Sequence, residues 1–228
     1  MLGTLCGGNP PAALLFDLDG TLVDSAPDLA AAVDITLQAM GYPAAGESRV
    51  RLWIGNGATM LVRRALAYAT GCAETAVDAA LHQQALDLFF EHYQNLCCRA
   101  SRLYAGTLEA LEVLHHRGIG LACVTNKPAR FTHQLLDYLA IGHLFGAVVS
   151  GDTLAVKKPD PAPLQLAATT LGHGMEECVM VGDSSTDVDA ARNAGIGAIA
   201  VNYGYSRGRA ADQLGADWVI GDLRQLLA

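Results

Sequence analysis

Between Gly106 and Ile220 the chain alternates two kinds of segment, and this alternation restricts the fold more than any other feature. Apolar residues at helical spacing predict helices over 107–117, 129–140, near 162–172 and over 186–194. Short apolar runs between them predict strands over 119–124 (IGLACV), 146–149, 178–181 (CVMV), 197–201 and 218–220. Strands that alternate with helices make βαβ units, and therefore a parallel sheet covered on both faces. The run at 12–16, AALLF, has the same texture and belongs to that sheet. The expected class is α/β, a doubly wound parallel sheet of Rossmann-like form.

From Pro27 to about Leu96 only helical patterning is present. Ser25 is placed to cap a helix with Pro27 at its start and Asp28 in the first turn. Met60, Leu61, Arg64, Ala65 and Leu66 fit a helix opened by the breaker Gly55-Asn56-Gly57, and Val77, Leu81, Leu88, Phe89 and Leu96 fit another. An all-helical stretch after the first strand reads as an insertion into the α/β domain. The expected division is 1–23 plus 103–228 for the α/β core and 24–102 for a helical cap, with hinges near Val23–Ala26 and Arg99–Gly106.

Doubly wound sheets bind ligands beyond the carboxyl ends of their strands. The first strand runs into LLFDLDGTLVDS, which sets Asp17 and Asp19 two residues apart at the edge of a core. In extended chain such residues face the same way, and like charges held that close repel. A divalent cation is the simplest compensation. The strand at 119–124 leads to Thr125 and Asn126, the strand at 178–181 leads to Gly182, Asp183 and then Asp187, and Lys157-Lys158-Pro159 lies in a loop between them. Hard oxygen donors suit magnesium, supplied by Asp17, Asp183 and a backbone carbonyl near Asp19. A free Asp17 oxygen can then attack phosphorus, with Asp19 as proton donor and acceptor. Lys158, Thr125 and backbone N–H groups of the turn after the first strand hold the phosphoryl oxygens, and Gly20 lets the backbone approach a ligand.

Each residue also has a plainer use. Asp19-Gly20 suits a turn, Asp183 and Ser184 can cap the helix at 186–194, and Asp187 either sits in its first turn or supports Lys158 or a metal-bound water. Residue types alone do not separate Lys157 from Lys158. Arg63 and Arg64 read as an exposed helix face, with a grip on a substrate carboxylate as the alternative. His82, His92, His133, His143 and His173 have no ligand-like spacing and read as surface residues, while His115 and His116 suit a helix C-terminus.

D-x-D-G-T after an apolar strand, Thr ending the next strand, Lys-Pro in a later loop and G-D-S-x-x-D after another strand resemble the four motifs of the haloacid dehalogenase superfamily, in order. The insertion after the first motif resembles its α-helical cap subclass. That resemblance implies Asp17 as nucleophile, Asp19 as acid/base, Thr125 and Lys158 as phosphate holders, and Asp17, Asp19 and Asp183 as the Mg2+ site. It also implies substrate contacts from Gly20, Thr21 and Asn126, and from a closing loop at Gly55, Asn56 and Gly57. Within the superfamily, WIGNGATMLVRRAL and SAPDLAAAVD resemble phosphoglycolate phosphatases, which implies 2-phosphoglycolate as the phosphorylated metabolite. Ala105 departs from the family phrase, where LYAG usually carries Pro, and implies an altered hinge rather than altered chemistry.

A sugar phosphomutase would share all four motifs, but its acyl phosphate must outlast water. A receiver-type signalling domain uses similar residues, yet is typically about half this length and lacks the insertion. The net charge of −8 without a Lys/Arg cluster argues against nucleic acid as partner. No segment has the apolar length to cross a membrane. Six cysteines without a C-x-x-C pair fit neither a zinc site nor a disulfide framework, and point to the reducing cytoplasm. The N-terminal LGTLC has the outline of a lipoprotein cleavage site but lacks a basic flank and a long apolar run.

Overall fold

The computed structural model describes Cys6 and residues 10–228, so Leu2–Leu5 of the LGTLC phrase lie outside the described residues. The chain enters through strand β1 (Ala13–Phe16), then turns into β2 (Val23–Asp24). Helices α1 (Ala26–Ala39), α2 (Glu47–Arg51), α3 (Ala58–Thr70) and α4 (Ala79–Leu96) follow before the chain returns through β3 (Arg102–Leu103). Beyond it come α5 (Thr107–His116), β4 (Gly120–Val124), α6 (Ala129–Tyr138), β5 (Ala147–Val149), α7 (Ala162–Leu171), β6 (Cys178–Gly182), α8 (Ser185–Ala194), β7 (Gly197–Val201) and β8 (Trp218–Ile220). The elements expected from periodicity are all present, displaced by a residue or two at their ends.

Six strands form one parallel sheet in the order β5-β4-β1-β6-β7-β8. The period of two along each strand explains why the sheet is apolar on both faces. Leu14 and Phe16 of β1 face Leu111, Leu114 and Leu135 of α5 and α6, whereas Ala13 and Leu15 face Leu164 of α7 and Val188 of α8. Register sets Phe16 level with Cys123 on one side and Val181 on the other. The chain therefore leaves three neighbouring strands at one edge, through Asp17, Thr125 and Asp183.

Helices α1, α3 and α4 pack around Leu37, Leu66, Phe89 and Tyr93, and Phe131 and Tyr205 from the sheet side join the same cluster. The outgoing and returning chains pair as a short antiparallel ribbon, Val23 with Leu103 and Asp24 with Arg102. Asp28 reinforces this crossing: its buried carboxylate accepts from the Ala100 and Ser101 N–H groups at 2.8 and 2.9 Å and from the Ser101 hydroxyl at 2.6 Å.

Four local expectations are corrected. Ser25 precedes α1 without a side-chain capping bond, because its hydroxyl donates to Asp19 Oδ1 at 2.5 Å instead. The buried stripe of α4 is His82, Ala85, Phe89 and Tyr93, with Leu81 and Leu88 only half-buried. His82 is thus an interior residue whose Nε2 lies 2.9 Å from the Thr59 carbonyl. Arg64 is buried as well, donating to the Trp53 carbonyl at 2.6 Å and to Asn56 Oδ1 at 2.8 Å. Charged and polar side chains turn inward here because the loop between α2 and α3 and the first turn of α3 offer them partners.

All six cysteines are free thiols. Among the described residues no helix is long and apolar enough to cross a membrane.

Candidate active site

At the carboxyl edge of the sheet, Lys158 points inward from the loop after β5 and its side chain is 1% exposed. Its ammonium donates to Asp17 Oδ1 at 2.8 Å and to Asp187 Oδ1 at 2.7 Å. Lys157, next to it, is exposed. The other oxygen of Asp187 accepts from the Ser184 N–H at 3.1 Å and the Ser184 hydroxyl at 2.6 Å, at the start of α8. The two readings of Asp187 are therefore compatible, since one carboxylate closes the helix start and anchors the lysine.

Asp17, Asp183 and Asp187 each place a carboxylate oxygen within 4.8 Å of the others, and all three are buried. Three carboxylates against one ammonium leave an excess of two negative charges. Burial pushes the Asp17 carboxyl up to about 7, against the pull of Lys158 and with added repulsion from Asp187. Asp183 is raised for the same first reason, and then by the charges of Asp187 and Asp17. Asp183 Oδ2 also accepts from the Tyr205 N–H at 2.7 Å. A hard divalent cation would balance the excess, and the all-oxygen donor set fits one.

The glycines beside Asp183 serve that packing. Gly20 has φ +93°, and a Cβ on it would overlap Asp183 Oδ2, as would one on Gly204 with the Asp183 side chain. Gly20 thus makes room for the Asp183 carboxylate. Neither Gly20 nor Thr21 lines the cavity described below; Thr21 is fully buried, and its carbonyl accepts from the Tyr203 hydroxyl at 2.9 Å.

The Asp19 carboxylate does not join the three-acid cluster. That carboxylate accepts from Ser25 and from Lys127, whose Nζ lies 3.0 and 3.2 Å from its two oxygens. Lys127 is buried, and it also donates to the Tyr93 hydroxyl at 2.7 Å, on α4. Sequence reasoning missed both residues. The one signal for Lys127 is its place directly after Thr125-Asn126 at the strand end. Tyr93 gave no signal beyond helical spacing.

Asp17, Asp19, Thr125, Asn126 and Lys127 line one small cavity, about 40 Å³, roofed by Gly55 and Gly57 and by apolar side chains of the helical unit. Thr125 Oγ1 accepts from the Lys127 N–H at 3.2 Å. Asn126 Nδ2 donates to the Lys158 carbonyl at 3.0 Å and to the Gly55 carbonyl at 3.2 Å, joining the two halves across the crevice. Gly57, at φ +82°, passes so near that a Cβ would sit 2.8 Å from the Asn126 carbonyl oxygen. Asn56 does not line the cavity; its Nδ2 donates to Thr186 Oγ1 at 3.0 Å and its Oδ1 receives Arg64. Arg63 and Arg64 do not line it either.

Residues 14–201 match the family model described as haloacid dehalogenase-like hydrolase. A phosphoglycolate phosphatase of Pseudomonas putida is 46% identical over 220 residues, covering 96% of this chain and 80% of that protein. One from Colwellia psychrerythraea is 44% identical over 214 residues, 94% of each. A crystal structure of a predicted phosphoglycolate phosphatase from Haemophilus somnus superimposes with a TM-score of 0.89 at 36% identity, covering 95% of this chain and 96% of that one. With matched sequence running from the first strand of the sheet to β7, and relatives aligned over nearly the whole chain, the protein belongs to the haloacid dehalogenase-like hydrolase family.

Proposed function

We propose that this phosphatase hydrolyses 2-phosphoglycolate to glycolate and phosphate through a phosphoryl group carried on Asp17, with Mg2+ as cofactor. The observation that carries the reading is the placement of Asp17: buried, paired with Lys158, and open to a small cavity it shares with Asp19 and Thr125. One Asp17 oxygen is held by Lys158, which leaves the other to attack phosphorus. As that O–P bond forms, the bond to the glycolate oxygen breaks, and Asp19 gives the leaving oxygen its proton. Water then attacks the phosphoryl group, Asp19 takes the water's proton, and the Asp17 carboxylate is released with free phosphate.

Lys158 and the Thr125 hydroxyl face the charge that gathers on the phosphoryl oxygens, where fixed donors in a dry site act most strongly. Magnesium held by Asp17, Asp183 and a main-chain carbonyl near Asp19 would add Lewis-acid polarisation of the phosphoryl group. Lys158, tethered by Asp187, holds one oxygen of Asp17 in place.

Cavity size supports a small leaving group. The space under Gly55 and Gly57 is about 40 Å³, so any phosphomonoester needs the helical unit to open, and a sugar-sized one needs it to open furthest. The relatives' shared name supports the specific substrate. A reducing cytoplasm fits six unpaired thiols.

The test is a panel of small phosphomonoesters ranked by kcat/KM with and without Mg2+. The expected result has 2-phosphoglycolate first, continuous phosphate release without any bisphosphate activator, and a fall of about 10⁴-fold or more for Asp17→Asn with an unchanged circular dichroism spectrum. A sugar phosphate in first place would remove the substrate and leave the reaction. Retained turnover in Asp17→Asn would falsify the nucleophile.

A further inference from the structure

We infer that Lys127, together with the Tyr93 hydroxyl, is the receptor for the second, carboxylate end of the substrate, and so sets the preference for acidic phosphomonoesters. The inference rests on the proposed substrate and deepens it.

A substrate with a carboxylate two atoms from its phosphate brings a charge into the cavity at the end away from Asp17. The cavity lining includes Leu29, Leu61, Phe89 and Phe131, and a carboxylate desolvated against such side chains without a partner is strongly disfavoured. Among the described residues lining the cavity, Lys127 carries the only positive side chain. Lys158 stands at the Asp17 and Asp187 carboxylates, where the phosphoryl group reacts, and neither it nor the arginines of α3 are part of the lining.

Geometry favours Lys127 as more than a counter-ion for Asp19. Its Nζ lies 2.7 Å from Tyr93 Oη and 4.9 Å from the centroid of that ring, so the ammonium sits where the sheet loop meets α4. The three N–H donors of the ammonium are aimed at the two Asp19 oxygens, at 3.0 and 3.2 Å, and at Tyr93 Oη, at 2.7 Å; the bond to the second Asp19 oxygen is the longest, and an arriving carboxylate takes its place. Tyr93 is itself 1% exposed and fixed by ring contacts with Phe89 and Phe131, at 5.5 and 4.7 Å between centroids. The receptor is therefore rigid before the substrate arrives, the condition under which a charged contact yields discrimination rather than mere affinity.

Because Asp19 shares the same ammonium, a purely supporting role for Lys127 would slow every substrate alike. The discriminating readout is the ratio of kcat/KM for 2-phosphoglycolate to that for 2-hydroxyethyl phosphate, which keeps the chain length and replaces the carboxylate by a hydroxymethyl group. The unaltered enzyme should show a ratio of about 100 or more. In Lys127→Met the ratio should fall at least about tenfold, whatever happens to either rate, and Lys127→Arg should recover part of it. In Tyr93→Phe it should fall about threefold or more.

Circular dichroism and melting curves decide which variant counts. If Lys127→Met is folded, an unchanged ratio overturns the inference. If it is not, the ratio in Tyr93→Phe decides in the same way. A preference for 2-phosphoglycolate that survives these substitutions removes the role of Lys127 and leaves the proposed substrate standing. A ratio near one in the unaltered enzyme removes the proposed substrate itself.

Discussion

Asp17 and Asp19 stand two residues apart, and each meets its own lysine: Lys158 at 2.8 Å for Asp17, Lys127 at 3.0 Å for Asp19. The repulsion expected between them is thus compensated twice by the chain before any cation binds. What remains uncompensated lies deeper, around Asp183, where space is so tight that neighbouring positions must be glycine. Gly20→Ala should therefore push the Asp183 carboxylate aside and force a side chain into φ +93°. The expected outcome is Mg2+ activation weakened by about 10–100-fold, by analogy with other changes to the shell behind a ligand, measured as the half-saturating Mg2+ concentration. An unaltered activation curve would show that Gly20 has no part in holding Asp183. The motif itself was legible in sequence because two acids after an apolar strand are chemically conspicuous. Lys127 was not, because its meaning depends on a tyrosine 34 positions away.

Element packing explains how a helical insertion stays aligned with the sheet it interrupts. Only the two short strands β2 and β3 connect them, and an isolated two-stranded ribbon is marginal in water. Asp28 adds three hydrogen bonds to the returning chain, and the Tyr205 hydroxyl accepts from the N–H groups of Ser25 and Ala26 while donating to Asp24. Removal of Asp28 strands the part-buried Ala100 N–H and the buried Ser101 N–H and hydroxyl. Asp28→Ala should lower stability by about 3 kcal/mol, a fall in Tm of about 6–12 °C for a chain of this size. Differential scanning calorimetry checks it, and a Tm within a degree of the parent would rule out the latch. In the sequence Asp28 reads only as a first-turn acid suited to the helix dipole. Nothing local says that its partners are Ala100 and Ser101.

Over the whole molecule, the buried acids make folding depend on pH. Asp17 titrates near 7 in the folded chain against about 4 when unfolded, because burial disfavours its charged form. Between those values the unfolded state releases a proton that the folded state retains, so stability is present in full below about pH 4 and is lost as pH rises towards 7. Asp183 shifts in the same direction and adds to the trend. A divalent cation stabilises the ionised cluster and should reverse the loss. Thermal melts of the metal-free protein should show Tm declining from pH 5.5 to pH 8, with saturating Mg2+ raising Tm by about 5 °C or more at pH 8 and much less at pH 5.5. Equal stabilisation at both pH values would mean that Mg2+ binds elsewhere.

Local pattern determined much of this protein. Apolar runs of period two, helical stripes of period 3.6 and breakers between them are one-dimensional signals, so the parallel sheet, the helical insertion and the carboxyl edge carrying Asp17, Thr125, Lys158 and Asp183 could be read before any coordinates. Tertiary structure alone decided which polar side chains turn inward to meet partners distant in sequence: Lys127 with Asp19 and Tyr93, Arg64 with the loop before α3, Asp28 with Ser101, and Asp187 in two roles at once. The physical reason is that burial of a charge is favourable only with its partners in place, and those partners are brought together by the packing of the whole chain.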